Sequence, residues 1–145
     1  MIYVTEEGEE IEPAEVQREK YHNHWVVRNV GSKHICNNLN LFSNFQRGNF
    51  GNYSDPYGST PIEGKGSVTL NVKDIDGNVV ILKLREVLYI PNWNRNQLSI
   101  FALKDYTFEL SDMSKLRIGT TIFPISPNER KVPVMTTLDL VEINA

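Results

Sequence analysis

Residues 67–84 constrain the fold of this chain more than any other stretch. Val68, Leu70 and Val72 alternate with Ser67, Thr69, Asn71 and Lys73, the period of two that marks a half-buried strand. Val79-Val80-Ile81-Leu82-Lys83-Leu84 follows shortly after Asp76-Gly77. A two-residue Asp76-Gly77 turn would set Leu70 opposite Lys83 and Val72 opposite Ile81, splitting the apolar face. A three-residue loop, Ile75-Asp76-Gly77, instead pairs Val72 with Val80, Leu70 with Leu82 and Val68 with Leu84. A slip of one residue moves every side chain to the other face, so the second register is expected, with Gly77 at positive φ.

Further short strands are expected at Glu86–Tyr89, Gln97–Ile100, Thr107–Leu110, Leu116–Ile118, Thr121–Pro124, Val132–Met135 and Leu138–Ile143. Pro91-Asn92, Ser111-Asp112 and Ser126-Pro127-Asn128 separate them as turns. Many short strands between regular turns, with no competing helical period, predict an all-β barrel or sandwich. Residues 37–58 are rich in Asn, Gly and aromatics and read in large part as a loop. Trp25, Tyr89 and Phe101 read as core residues. Trp93 and Arg95 sit in a polar loop; Trp93 reads first as a loop aromatic folded back onto the barrel, and the rival reading makes it, beside Arg95, a contact point for a partner, since such residues concentrate binding energy.

Five blocks, in order, carry a family resemblance. Trp25-Val26-Val27-Arg28-Asn29-Val30-Gly31-Ser32-Lys33-His34-Ile35 resembles the segment in which a tryptophan and two aliphatic residues lead into Asp-Ser/Thr-Gly-Ala-Ser and then a histidine. Ile62 to Leu70 resembles a Gly-Lys-Gly-x-Val-x-Leu strand, and Val87-Leu88-Tyr89-Ile90-Pro91 a Val-Leu-Tyr-Val-Pro signature. Asn96-Gln97-Leu98-Ser99-Ile100 and Leu103 to Phe108 resemble the blocks that follow. Together they resemble the aspartic protease of copia-type retrotransposon Pol polyproteins. The resemblance implies a small closed β-barrel of acid-protease (retropepsin-like) type, with short antiparallel strands and little helix. It spans about residues 25–124, and divides the chain into an acidic arm, 1–24, and a barrel domain, 25–145.

The resemblance also implies a chemistry that these residues do not supply. Aspartic proteolysis needs two carboxylates sharing one proton, one acting as base on water and the other as acid. Read without gaps, Arg28 stands at the acid; a shift of one sets Asn29-Val30-Gly31 on the motif. A guanidinium offers only donors and an amide does not titrate between acid and base forms, and Val30 replaces a glycine in the gapless register. No aspartate in the chain is followed by Ser-Gly or Thr-Gly. The degenerate positions Arg28, Asn29, Val30, Gly31 and Ser32 therefore predict no catalysis, and Arg28, Asn29, Trp93 and Arg95 become candidates for binding a peptide or protein. The rival readings are an active endopeptidase using an acid from elsewhere, and a structural fragment of a polyprotein. Two Arg28 side chains would repel at a two-fold axis, so a monomer, or a dimer not meeting at Arg28, is expected.

His22-x-His24 and His34-x-Cys36 have the ligand types of a zinc site but not its usual spacing, so no metal and no cofactor is expected. Cys36 lacks a base with an orienting third group and reads as a small buried apolar residue. Composition limits the partners. The chain has 145 residues, 40% of them hydrophobic and 23% charged, with net charge −3. Residues 1–24 hold seven glutamates against Arg18 and Lys20, a balance of −5, which leaves the remainder near +2. Neither part reads as a patch that neutralises phosphates, and nucleic-acid binding is not expected. Neither is membrane insertion, because no apolar run approaches the roughly 20 residues of a span. The single cysteine and an acidic start point to a cytoplasmic or other intracellular protein. Pro13 is well placed to open a short helix in the arm.

Overall fold

The computed structural model describes residues 3–4, 10–11, 22–28, 33–55, 58–103, 108–111, 114–128 and 132–138. The chain is all-β, with fifteen strands among the described residues: β1 (Tyr3–Val4), β2 (Glu10–Ile11), β3 (His24–Arg28), β4 (His34–Cys36), β5 (Phe42–Arg47), β6 (Asn52–Asp55), β7 (Gly58–Pro61), β8 (Gly64–Lys73), β9 (Val79–Tyr89), β10 (Asn96–Ser99), β11 (Phe108–Ser111), β12 (Lys115–Ile118), β13 (Thr121–Pro124), β14 (Ser126–Pro127) and β15 (Pro133–Thr136). Single 3-10 turns at Leu39–Leu41 and Ile100–Ala102 follow β4 and β10. Eight strands form one sheet in the order β14-β15-β3-β10-β4-β9-β8-β5; β11-β12-β13, β6-β7 and β1-β2 form smaller ones. Two pairings, β3–β10 and β4–β9, are parallel. The helix expected from Pro13 and the strand expected over Leu138–Ile143 lie wholly or mostly outside the described residues.

The β8–β9 hairpin takes the expected register. Val72 pairs with Val80, Leu70 with Leu82 and Val68 with Leu84. Asp74 N donates to Asn78 O at 2.8 Å, and Gly77 has φ +87°. Asp74 Oδ1 accepts from the amides of Asp76 and Asn78, both at 2.9 Å, so this carboxylate serves the turn. The strand expected at Glu86–Tyr89 is the second half of β9, not a separate element. A bulge at Glu86, φ +53°, shifts the phase there. Arg85 and Glu86 are both exposed, and Val87 returns to the core beside Leu84. A strictly alternating strand would have turned Val87 outward; the extra residue corrects it.

Two apolar clusters lie on opposite faces of the large sheet. The main core gathers Trp25, Val27, Cys36, Val68, Leu70, Leu84, Val87 and Leu98 with Leu116, Phe123 and Met135. The smaller one joins Ile35, Ile62 and Ile90, with Tyr53, Leu88 and Trp93 packed against them. Alternation along each strand explains the split: Ile35 lies between His34 and Cys36, and Leu88 between Val87 and Tyr89. Phe101 is 59% exposed, which corrects its reading as core. It lies in the 3-10 turn after β10, where no sheet periodicity directs it inward.

Within residues 37–58, read in large part as a loop, lie β5, β6 and the start of β7, and β6 pairs antiparallel with β7. Packing overrides weak strand propensity here. Phe42, Phe45 and Tyr89 meet edge to face at 5.3–5.7 Å. They lie over Gly64 and Gly66, where the missing side chains let the rings and the β5 backbone approach.

Candidate functional site

The strands on either side of residues 29–32 are β3 and β4, and they do not pair with each other. β10 lies between them. It runs parallel to β3, with Ser99 opposite Arg28, and antiparallel to β4, with Gln97 opposite Ile35. The end of β3, the end of β10 and the start of β4 therefore converge at Arg28, Ser99 and Lys33-His34. Arg28 is exposed and Ser99 fully buried. Asn29, Val30, Gly31 and Ser32 lie outside the described residues.

A single registered pair joins β10 to β4, and side chains supplement it. Ser99 N donates to His34 Nδ1 at 3.0 Å, and Gln97 Nε2 donates to Lys33 O at 3.4 Å. His34 is 1% exposed, and burial pushes its pKa down to about 4. Its neutral ring accepts at Nδ1 and so carries its proton on Nε2. His34 is therefore a fixed acceptor near neutral pH. Asn96 ties down the other end of β10: its Oδ1 accepts from Asn37 N at 3.0 Å, and its Nδ2 donates to His22 O at 3.2 Å. His34, Asn96, Gln97 and Ser99 form a buried polar set; sequence reasoning weighed His34 only as a metal-ligand type and did not connect it with the other three. The available signal was three polar residues in the four of Asn96–Ser99, a strand that is nonetheless wholly buried.

The other expected contact residues lie at the opposite end of β10. Trp93 is half-buried in the smaller cluster and stands edge to face with Tyr53 at 5.2 Å. Its carbonyl accepts from Asn37 Nδ2 at 2.7 Å. Arg95 is half-buried just before β10. The structure thus separates Trp93 and Arg95 from Arg28 by the length of that strand.

Cys36 is buried in the main core. Burial raises its thiol pKa to about 12, against a smaller lowering by its hydrogen bond to Asn38. Among the described residues, no group of three or more His, Cys, Asp or Glu could hold a metal ion, and no helix is long and apolar enough to cross a membrane.

The family model for the Pol polyprotein, beta-barrel domain, matches residues 25–108. The chain belongs to that family. The matched span runs from Trp25 in β3 to Phe108 in β11, and so includes β10 with both of its neighbours. No curated protein and no solved structure matches the chain. In this retrotransposon Pol-type domain, the buried side chains of His34, Asn96 and Gln97 tie β10 to the segments that carry β3 and β4.

Proposed function

We propose that this domain is a copia-type, protease-like β-barrel that does not cleave, and that it binds an extended peptide or protein segment where Arg28, Ser99 and His34 converge. One observation carries the reading: an exposed arginine closes β3 beside β10, at the position where the resembled family has its acid. His34 supports it, because a neutral ring already accepting at Nδ1 does not replace a carboxylate pair. Each of β3, β10 and β4 lies between two other strands of the sheet, so the segment lies across their ends and is held by side chains such as Arg28, which requires no aspartate. Arg28 gives such a site a preference for acidic segments. The domain, residues 25–145, acts as a monomer or as a dimer not meeting at Arg28, without nucleic acid or membrane, in the cytoplasm or another intracellular compartment.

The test is incubation of the purified chain with a peptide library at acidic and neutral pH, read by mass spectrometry. Intact peptides are expected. Specific cleavage that persists after repurification, and in Arg28→Ala, overturns the non-catalytic reading.

A further inference from the structure

The face of the large sheet turned away from the main core carries a polar pocket. It is about 280 Å³ and spans four neighbouring strands. The register aligns its donors. Thr136 pairs with His24, and Asn96 pairs with Trp25, so Arg95, one residue earlier, stands level with His24 on the other side. Arg95, His24 and Thr136 thus form one row. Val134 and Ser126, which pair with each other, form the next. Asn128 completes the rim, its Oδ1 accepting from Val132 N at 3.0 Å. Val134, buried, and Pro127 supply apolar wall.

The chemistry of this lining is one-sided. It holds a guanidinium, an imidazole, two hydroxyls and an amide, and among the described residues no carboxylate. We infer that the pocket binds the side-chain carboxylate of a glutamate-rich peptide. The Arg95 fork suits a two-oxygen acceptor, and the hydroxyls of Ser126 and Thr136 can donate to it. The apolar wall accommodates the methylenes that precede a glutamate carboxylate. Charge complementarity is present in the chain itself: residues 1–24 carry a balance of −5 and the remainder about +2. This site is distinct from the Arg28 end, since His24 and Arg28 are the two ends of β3, about 13 Å apart at roughly 3.3 Å per residue.

The experiment titrates an acetylated Glu-Glu-Gly-Glu-Glu-Ile-Glu peptide into the 15N-labelled full chain. A parallel titration uses the full chain carrying Glu6→Gln, Glu7→Gln, Glu9→Gln, Glu10→Gln and Glu12→Gln, so that self-occupation cannot mask binding. The expected result, in at least one of the two, is saturable shifts at His24, Arg95, Ser126 and Thr136. Arg95→Gln should weaken binding by about 10-fold or more, and Thr136→Val by a smaller factor. Lys83→Gln, at an exposed position of β9, should leave it unchanged. Absence of shifts in both chains overturns the proposal. So does equal binding of the all-glutamine peptide, or inorganic phosphate shifting these residues while the peptide does not.

Discussion

Ser99 donates its backbone N–H to Nδ1 of His34, 3.0 Å away, and both residues are buried. This bond joins β10 to the start of β4, the strand that resumes after residues 29–32. Its acceptor is a titratable ring, so the junction responds to acid.

With a folded pKa of about 4 against an ordinary 6.5, His34 is neutral in the folded chain while the unfolded chain takes up the proton. Its contribution to stability is present above about 6.5 and is lost as pH falls from there toward 4, by roughly 3 kcal/mol at the limit. Urea unfolding at steps from pH 7 to pH 4 should show this decline. His34→Asn keeps an acceptor near the same place and should flatten that part of the slope. His34→Ala should cost about 1–3 kcal/mol more at pH 7 by stranding the Ser99 amide. An unchanged slope in His34→Asn would remove His34 from the explanation.

The β8–β9 face should separate core from surface by size of effect. Leu84→Ala, at a residue 1% exposed, is expected to cost about 2–5 kcal/mol. Ile81→Ala, three residues earlier and 69% exposed, should stay within about 0.5 kcal/mol. Equal losses in denaturant titrations would mean that Ile81 is covered in solution.

The glycine pair under the aromatic cluster should behave unequally. A Cβ on Gly66 meets Ser43 O at 2.9 Å, a backbone atom held in the ladder, whereas one on Gly64 runs into the Phe45 ring. Gly66→Ala should therefore cost about 1–3 kcal/mol alone or with Phe45→Ala. The loss in Gly64→Ala should be partly rescued by Phe45→Ala. A double-mutant cycle with no coupling at Gly64–Phe45 would contradict this packing.

Cys36 should react slowly with iodoacetamide at pH 8 in the folded chain and rapidly in denaturant, because both burial and a thiol pKa raised to about 12 suppress the thiolate. Fast labelling of the native chain would contradict its place in the core.

The hairpin was legible in sequence to the residue, because Val68, Leu70 and Val72 admit only one register that keeps their face whole. Its continuation was not, since the bulge at Glu86 exists to restore Val87 to the core and leaves no local mark beyond two successive charges. Asn, Gly and Phe around Phe42–Arg47 gave a loop reading, because the contacts that make β5 a strand come from Gly64, Gly66 and Tyr89, far along the chain. At the candidate site, Arg28 was legible by resemblance alone. The locking of His34 by Ser99 depends on β10 lying between β3 and β4, an arrangement no local pattern encodes.

The central claim is that the Arg28–Ser99–His34 junction binds peptide and does not cut it. One measurement addresses both halves: titration of a peptide library into the 15N-labelled chain at pH 5 and pH 7, with mass spectrometry of the peptides recovered. Saturable shifts at Arg28, Lys33, His34 and Ser99, with every peptide intact, are the expected result. New peptide termini that persist after repurification, or no shift at these residues with any peptide, would contradict it.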